Sequence, residues 1–277
     1  MKVAIVTGSK GFIGKNLVKR LQELLNYIIV EINEEIFKEK DWKSELMYIL
    51  DYNEPDVIFH IGACSDTLEQ DVNYMMKLNY EFTKVLVDWS SETYCKLIYS
   101  SSAASYGQNN DHPSNLYGWS KYVAEQYVIS KNGIGLRYFN VYGPGEEHKG
   151  KMASVAYQSH VKNQNGETCK LFPKNPTRDF VYVNDVVNAN LFAEKNYKSL
   201  NRKFYDVGSG ESRSFEDVMK NMDIPYVYLD ENSIPEGYQF YTCSDKNKWM
   251  KNWKPEYNLE KGISDYKQYL LSRIVNV

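Results

Sequence analysis

Tyr117 and Lys121 stand four positions apart in a Y-x-x-x-K pattern, and both residue types can take part in proton transfer. Residues 117–130 have helical periodicity, and a spacing of four places both side chains on one face of a helix. A neighbouring ammonium lowers the pKa of a phenol, which makes the tyrosine usable as a base or an acid. Because tyrosine and lysine are abundant here, the pattern gains weight only from its surroundings.

Three consecutive serines, Ser100, Ser101 and Ser102, directly follow the predicted strand K-L-I-Y of residues 96–99. A serine hydroxyl at the carboxyl end of that strand can hydrogen-bond the substrate oxygen whose proton Tyr117 takes. The order of strand, serines and Y-x-x-x-K helix therefore predicts a proton-transfer site.

Gly8, Gly11 and Gly14 form a G-x-x-G-x-x-G turn between a strand predicted over residues 3–7 and a helix. The first glycine permits the tight turn, the second lets the backbone approach a pyrophosphate, and the third lets helix and strand pack closely. The helix N-terminus offers unpaired N–H groups and a positive dipole end to the phosphates. The turn therefore predicts a dinucleotide cofactor, whose oxidised nicotinamide ring would lower the pKa of Tyr117 further.

Glu31 ends the second predicted strand, where a carboxylate can hold the ribose hydroxyls of the adenosine half of a dinucleotide. Its charge favours NAD, because the 2′-phosphate of NADP would meet a like charge. Lys38 follows closely enough in the sequence to bind such a phosphate, so these residues leave NAD and NADP open.

Helical segments alternate with strands predicted over residues 3–7, 28–31, 56–61, 96–99 and 135–139. This alternation predicts an α/β fold with a Rossmann-type, doubly wound parallel sheet. Beyond Gly143 the pattern loosens, which predicts a smaller, discontinuous substrate-binding lobe. We assign the dinucleotide-binding domain to residues 1–142 and 178–208, and the lobe to residues 143–177 and 209–277.

The 277 residues carry a formal net charge of −3 and are 43% hydrophobic, as in an ordinary globular protein. This charge gives no general attraction to nucleic acid or anionic membranes, and no window of the sequence reaches the roughly 18 apolar residues of a membrane span. The four cysteines are widely spaced and the four histidines lack metal-binding spacing. We therefore expect a metal-free cytoplasmic protein without nucleic-acid or membrane partners.

The ordered set of glycine turn, serine strand end and Y-x-x-x-K helix resembles the extended short-chain dehydrogenases of the NAD-dependent epimerase/dehydratase superfamily. Residues 59–185 resemble the ADP-glycero-manno-heptose 6-epimerase family in particular. The matching stretches are FHIGACSDT (59–67), SSAASYG (101–107), YGWSK (117–121), LRYFNVYGP (136–144), HKGKMASVA (148–156) and RDFVYVNDV (178–186). The HKG-x-MAS stretch is the most diagnostic, because generic nucleotide-sugar epimerases lack it.

The resemblance implies that Tyr117 and Lys121 are the catalytic pair, assisted by Ser102, and that Lys149 is a second acid/base group. It implies an epimerase that oxidises C6 of ADP-D-glycero-D-manno-heptose, lets the aldehyde turn about the C5–C6 bond, and reduces its other face to give the L-glycero epimer. The cofactor, NADP by resemblance or NAD, ends unchanged. A nucleotide-diphosphate sugar substrate, a homo-oligomer and a product that is a lipopolysaccharide precursor are also implied.

Further residues match family positions that contact the cofactor or the substrate. Beyond the three glycines, the implied cofactor contacts are Phe12, Ile13, Glu31, Ile61, Gly62, Ala63, Cys64, Ser65, Asn79, Lys121 and Val141. The implied substrate contacts are Ser102, Asn140, Lys151, Phe172, Arg178 and Tyr238. Arg178 could chelate a pyrophosphate with its planar fork or, alternatively, form an ion pair near its own strand.

Departures from the family pattern fall mostly in the predicted substrate-binding lobe. Gly145 and Gly237 replace arginines, Lys151 replaces a serine and Gln158 replaces a histidine. A UDP- or GDP-sugar 4-epimerase, which uses the same Ser/Tyr/Lys set, is therefore the leading alternative. A dinucleotide-binding regulator without catalysis is the alternative from another class, although such proteins typically lose the Y-x-x-x-K pattern.

Overall fold

The computed structural model describes residues 1–107, 112–235 and 238–274, so that Gly237 lies outside the described residues. The chain divides into two compact units. Unit 1 comprises residues 1–138 and 187–206, and unit 2 comprises residues 139–186 and 207–277. Both units are thus assembled from two separate segments of the chain.

The regular elements alternate along much of the chain. The strands are β1 (Lys2–Thr7), β2 (Tyr27–Ile32), β3 (Val57–His60), β4 (Lys96–Ser102), β5 (Ile134–Tyr138), β6 (Asn140–Tyr142), β7 (Cys169–Leu171), β8 (Thr177–Tyr182), β9 (Lys203–Val207), β10 (Ser212–Ser214) and β11 (Tyr226–Tyr228). The helices are α1 (Phe12–Glu23), α2 (Trp42–Asn53), α3 (Val72–Met76), α4 (Phe82–Thr93), α5 (Leu116–Lys131), α6 (Val155–Gln164), α7 (Val183–Lys195), α8 (Tyr197–Leu200), α9 (Phe215–Met222) and α10 (Leu259–Ile274). Among the described residues, no helix has both the length and the apolar character needed to cross a membrane.

The sheet of unit 1 has the strand order β2-β1-β3-β4-β5-β9, and the pairs from β2 through to β5 are parallel. The strand order reverses at β1, and ligands of such sheets bind in the crevice at the carboxyl ends of the strands beside this reversal. Helices cover both faces of a parallel sheet, which explains the continuous apolar runs of β1 and β3. The predicted Rossmann-type α/β fold is confirmed.

Helices α2, α4 and α5 contribute to one hydrophobic core with this sheet. Leu50 of α2, Leu86 of α4 and Val128 of α5 are fully buried in the same cluster as Ile58 of β3. Full burial of such a side chain contributes about 1.5–3 kcal/mol to folding. This core packs α5, the helix that contains the Y-x-x-x-K pattern, against the sheet.

Unit 2 contains a three-stranded sheet of order β10-β8-β6 and a two-stranded sheet of β11 and β7. Its core consists largely of aromatic and aliphatic side chains, including Tyr142, Phe180, Tyr182, Val218, Met219, Ile263 and Tyr266. Strand β8 pairs with β6 and β10, so residues 178–186 belong to unit 2, whereas the sequence assigns them to the dinucleotide-binding domain. Both partner strands have only three residues, which is too short for a recognisable alternation in the sequence.

A buried ion pair joins α5 to β5 in unit 1. The Glu125 carboxylate accepts two hydrogen bonds from Arg137, at 2.8 Å from Nε and 2.6 Å from an Nη atom. The side chains are 0% and 4% exposed, and the guanidinium also lies 3.7 Å from the ring centroid of Phe204. Because both charges are removed from water, each is stable in the interior only while the other provides its counter-charge.

Arg137→Met should lower the free energy of unfolding by about 3–5 kcal/mol, because it leaves a buried carboxylate without a counter-charge. Urea unfolding measures this loss. Arg20→Met is the matched control: its ion pair with Glu23 is about half exposed on α1, and the expected loss is below about 1 kcal/mol. Equal losses of unfolding free energy in the two variants would contradict the burial of the Arg137–Glu125 ion pair.

Candidate active site

The glycine turn of unit 1 brings the ends of β1 and β3 into backbone contact. Gly8 has a φ of +65°, and a Cβ on it would lie 2.5 Å from the Cα of Gly62. A Cβ on Gly14 would lie 2.0 Å from the carbonyl oxygen of Gly8, so α1 packs directly against the turn. Space and backbone conformation therefore require glycine at these positions.

Helix α1 begins directly after Gly11 at the carboxyl end of β1. Gly11 provides no side-chain cap, and the first turn of the helix contains no acidic residue. The N–H groups of this turn and the positive end of the helix dipole can therefore bind a pyrophosphate. Phe12 is buried, Ile13 is half-buried, and Glu31 is exposed near the end of β2. This cradle fits a dinucleotide cofactor.

A chain of buried hydrogen bonds runs behind this turn through His60. The N–H of Gly62 donates to Thr7 Oγ1 at 3.0 Å, and Thr7 Oγ1 lies 2.7 Å from His60 Nδ1. His60 Nε2 lies 2.7 Å from Thr83 Oγ1, which donates to the carbonyl oxygen of Asn79 at 2.7 Å. Since the Thr83 proton is used, Nε2 donates to Thr83 Oγ1. Burial disfavours a second proton on the ring, so that Nδ1 accepts from the Thr7 hydroxyl and the imidazole is neutral. Burial, together with the smaller effect of the Lys121 charge, lowers the pKa of His60 to about 3.

Asn79 fixes the loop that follows β3. Its side-chain oxygen accepts the N–H of Cys64 at 2.7 Å, and its amide nitrogen donates to the Cys64 carbonyl oxygen at 3.0 Å. The same nitrogen donates to Ser120 Oγ on α5 at 2.9 Å. Asn79 is buried in a π-helical turn, a feature frequent at functional sites. One side chain therefore links α5 to the predicted cofactor contacts Ile61, Gly62, Ala63, Cys64 and Ser65.

Tyr117 lies beside the strand end that contains Ser102. Ser102 is the last residue of β4, and a hydrogen bond joins its side chain to that of Tyr117. Close packing here requires Gly118, where a Cβ would lie 2.6 Å from the carbonyl oxygen of Ala104. Asn115 caps α5 by accepting the N–H of Gly118 at 2.8 Å. The structure thus brings two predicted catalytic groups together.

Burial governs the protonation of Tyr117 and Lys121. Lys121 is 1% exposed, and burial lowers its pKa to about 7 while the charge of Glu125 opposes that shift. Burial raises the pKa of the Tyr117 phenol, and the hydrogen bond with Ser102 opposes it. The sequence predicts that the ammonium together with an oxidised nicotinamide ring lowers the pKa of the phenol, whereas in the protein by itself burial is the largest influence on that pKa and raises it.

Lys149 lies in unit 2 on a 3-10 turn, Glu147–Met152, that follows a buried carboxylate. Glu146 is fully buried and accepts hydrogen bonds from Ser154 Oγ at 2.7 Å and from the Tyr266 hydroxyl at 3.0 Å. The backbone N–H of Lys149 donates to the Glu146 carbonyl oxygen at 3.0 Å. Burial lowers the pKa of Lys149, and the charge of Glu146 opposes this. Lys149 can therefore act as a proton donor or acceptor.

Three predicted substrate contacts, Arg178, Tyr238 and Phe172, lie together in unit 2. The guanidinium carbon of Arg178 is 5.3 Å from the ring centroid of Tyr238, which is 5.1 Å from that of Phe172. Arg178 is 8% exposed, and among the described residues no carboxylate forms an ion pair with it. The next residue, Asp179, accepts hydrogen bonds from Ser244 instead. The planar fork of Arg178 can therefore bind an anion such as a pyrophosphate.

The other predicted residues of unit 2 lie on β6 and on the turn of Lys149. Asn140 is exposed and Val141 is half-buried on β6. Lys151 is exposed, and Gln158, which replaces a histidine of the family, donates to its carbonyl oxygen at 3.2 Å. Gly145 has a φ of +97°, a conformation unfavourable for the arginine of the family pattern. The departures at Gly145, Lys151 and Gln158 thus lie close together in the sequence, around the turn of Lys149.

The sequence analysis missed the supporting residues His60, Thr7, Thr83 and Gly118. Two signals could have found them. A histidine inside the apolar strand D-V-I-F-H-I must be buried and therefore hydrogen-bonded. A glycine in the first turn of the Y-G-W-S-K helix costs about 1 kcal/mol relative to alanine, so its presence calls for a packing reason.

Comparisons with known proteins show the family of this chain. The model of the NAD dependent epimerase/dehydratase family matches residues 4–208. An ADP-L-glycero-D-manno-heptose-6-epimerase of Brachyspira hyodysenteriae is 35% identical over 311 residues, covering 96% of this chain and 97% of that protein. The crystal structure of the Helicobacter pylori ADP-L-glycero-D-manno-heptose-6-epimerase has a TM-score of 0.85 and 28% identity, covering 98% of this chain and 96% of that one. The resemblance predicted from the sequence is confirmed.

The fold extends to enzymes with other substrates. The structure of a UDP-glucose 4-epimerase from Thermotoga maritima, in complex with UDP-glucose, has a TM-score of 0.84 and 24% identity, covering 98% of this chain and 99% of that one. At this identity the likeness shows the shared fold alone. The choice of sugar therefore depends on side chains rather than on architecture.

The neutral state of His60 should make stability depend on pH. The folded pKa of about 3 lies below the usual value of 6.5, so its contribution is present above about pH 6.5 and is lost as the pH falls toward 3. Between pH 6.5 and 5 the free energy of unfolding should fall with an added slope approaching about 1.4 kcal/mol per pH unit.

Urea unfolding of the wild type and of His60→Gln between pH 8 and 5 measures this slope, and the variant should lose it. His160→Gln is the comparison variant: His160 is half-buried, burial lowers its pKa too, and it should account for a smaller part of the slope. Identical slopes in the wild type and His60→Gln would mean that His60 is not held neutral.

Proposed function

Because the chain belongs to the NAD dependent epimerase/dehydratase family, we propose that it is an epimerase that inverts C6 of an ADP-heptose. The proposed reaction converts ADP-D-glycero-D-manno-heptose into ADP-L-glycero-D-manno-heptose. The observation that carries the proposal is Lys149, a half-buried lysine with a lowered pKa in the HKG-x-MAS segment that generic nucleotide-sugar epimerases lack. The full-length similarity to two heptose 6-epimerases supports the same substrate.

In the first half of the reaction, Tyr117 takes the proton of the C6 hydroxyl. Its hydrogen bond with Ser102 orients the phenol, and Ser102 holds the same substrate oxygen. Lys121 stabilises the phenolate through its positive charge. Bound NAD supplies a nicotinamide ring that accepts the C6 hydride and later returns it. The products of this half are an aldehyde at C6 and a protonated Tyr117.

In the second half, rotation about the C5–C6 bond moves the aldehyde oxygen to a second position. Lys149 donates a proton to that oxygen as C6 is reduced on its other face, and the hydroxyl re-forms with inverted configuration. Burial lowers the pKa of Lys149 and so makes it a stronger proton donor. Proton exchange with solvent then restores the phenolate of Tyr117 and the ammonium of Lys149.

We propose NAD rather than NADP as the cofactor, because carboxylates surround the end of β2. Glu31 is exposed there, and Glu34 and Glu35 begin the following turn. Lys10 forms an ion pair with Glu35, so part of the local positive charge is already compensated. A 2′-phosphate would meet the remaining negative charge. Lys38, at the end of the same turn, is the feature that favours NADP instead.

The family similarity also supports a nucleotide-diphosphate sugar as the substrate class. We further propose from the resemblance a homo-oligomeric, cytoplasmic enzyme whose product is a lipopolysaccharide precursor. Size-exclusion chromatography with light scattering tests the first of these proposals, and a monomer at micromolar concentration would contradict it.

Glu31→Gln should reduce the ratio of NADP+ to NAD+ dissociation constants about tenfold, because it removes a charged acceptor for the ribose hydroxyls and a charge that repels a phosphate. Fluorescence titration of the purified protein with both cofactors measures the ratio. Glu45→Gln, at an exposed carboxylate in the first turn of α2, is the matched control and should leave the ratio unchanged. Tighter binding of NADP+ by the wild type would overturn the choice of NAD.

Tyr117→Phe should lower kcat about 10²–10⁴-fold, because it removes the acid/base group of the first half. Lys149→Met should lower it about 10²-fold or more for the same reason in the second half. NMR of protein incubated with ADP-D-glycero-D-manno-heptose and NAD+ measures the appearance of the C6 epimer. Lys162→Met, at an exposed lysine of α6, is the matched control and should retain wild-type turnover.

The same assay separates the alternatives. Turnover of a UDP- or GDP-hexose with no conversion of the heptose would retain the hydride chemistry and discard the heptose assignment. Binding of NAD+ with no turnover of any nucleotide sugar would favour the non-catalytic regulator. Full activity of Lys149→Met on the heptose would remove Lys149 from the mechanism.

A further inference from the structure

Tyr99 of β4 is a buried aromatic ring in direct contact with the predicted catalytic lysine. Its side chain is 1% exposed, and the ammonium nitrogen of Lys121 lies 4.5 Å from the ring centroid. On the neighbouring strand β3, the His60 ring centroid lies 5.4 Å from that of Tyr99. Tyr99 therefore lies in one buried layer of side chains with the neutral imidazole of His60 and the ammonium of Lys121.

The hydroxyl group does not explain why a tyrosine occupies this position. Tyr99 Oη is buried and has no hydrogen-bond partner among the described residues. An unpaired buried hydroxyl lowers stability rather than raising it. The interaction that remains is the one between the ring face and the Lys121 ammonium, which the negative face of an aromatic ring attracts.

Few other groups favour the charged form of Lys121. The titratable groups that interact with it in the described part of the chain are His60 on β3, Tyr99 on β4 and Glu125 on α5. Tyr117 lies four residues earlier on the same face of α5. His60 is neutral, and the carboxylate of Glu125 is engaged by Arg137 through two hydrogen bonds. The face of the Tyr99 ring is therefore the group in direct contact with the Lys121 ammonium that can favour its charged form.

We propose that Tyr99 is a positioning residue, whose ring holds the Lys121 ammonium on the face of α5 that it shares with Tyr117 and favours the charged form of the lysine. The consequence for catalysis rests on the proposed function, in which Lys121 stabilises the Tyr117 phenolate. The consequence for Lys121 itself does not depend on any substrate, because the contact lies within the protein.

The contact predicts how the titration of Lys121 responds to substitution. Burial lowers the pKa of Lys121 to about 7, so a small loss of favourable interaction changes its charge at neutral pH. Tyr99→Leu keeps the site apolar and removes the ring, and the midpoint of Lys121 should fall by about one pH unit. Tyr99→Phe retains the ring without the unpaired hydroxyl, and the midpoint should stay within about 0.3 units of the wild type.

NMR of the full-length protein labelled with ¹³C at lysine Cε measures this midpoint between pH 5 and 10. The Lys121 signal is identified by its absence from Lys121→Arg. A lowered midpoint in Tyr99→Leu with a retained midpoint in Tyr99→Phe supports the proposal, and equal midpoints in all three proteins overturn it. If Tyr99→Leu does not fold, Tyr99→Met, which is unbranched and adapts to irregular space, takes its place with the same expected direction.

Kinetics then separate this proposal from the proposed function. In the epimerase assay, kcat should decline at high pH as Lys121 loses its proton. In Tyr99→Leu this decline should begin at a lower pH than in the wild type, and in Tyr99→Phe it should begin at the wild-type pH. A shifted NMR midpoint with no heptose turnover in the wild type would retain the role of Tyr99 and discard the substrate. Normal turnover with an unchanged decline at high pH in Tyr99→Leu would retain the substrate and discard the role of Tyr99.

Discussion

The burial of an ammonium at Lys121 is the constraint on which the candidate site of unit 1 depends. Helices cover both faces of the parallel sheet, so polar groups inside must find their partners within the protein. The ring of Tyr99 lies next to Lys121, while Glu125 is compensated by Arg137. His60 stays neutral in the same layer, because a second buried cation there would add repulsion to desolvation.

The hydrogen bonds of this layer also reach the predicted cofactor site. His60 is linked through Thr7 to the N–H of Gly62, the residue whose backbone touches Gly8. Asn79 links the same loop to Ser120, one residue before Lys121 on α5. The glycine turn and helix α5 of the Y-x-x-x-K pattern are thus held by one buried network, in which each group has a defined partner.

Unit 2 also contains buried charged groups, here carboxylates, whose partners lie within the protein. Glu146 holds the start of the Lys149 turn through Ser154 and Tyr266, and its burial raises its own pKa. Asp179 accepts hydrogen bonds from the loops that contain residues 209 and 244, while Arg178 beside it pairs with no carboxylate of the described residues. In both places a buried carboxylate fixes the backbone beside a cationic side chain, Lys149 in the first and Arg178 in the second.

The sequence by itself determined the Rossmann-type fold, the glycine turn and the Tyr117–Lys121 pattern, because these depend on periodicity and spacing within one or two elements. It did not determine the chain through His60, whose partners are 53 and 23 positions away. Nor did the spacing of Tyr117 and Lys121 reveal that burial raises the pKa of Tyr117 in the protein by itself. Only the tertiary structure decides how far each charged group is removed from water, and that removal sets its protonation.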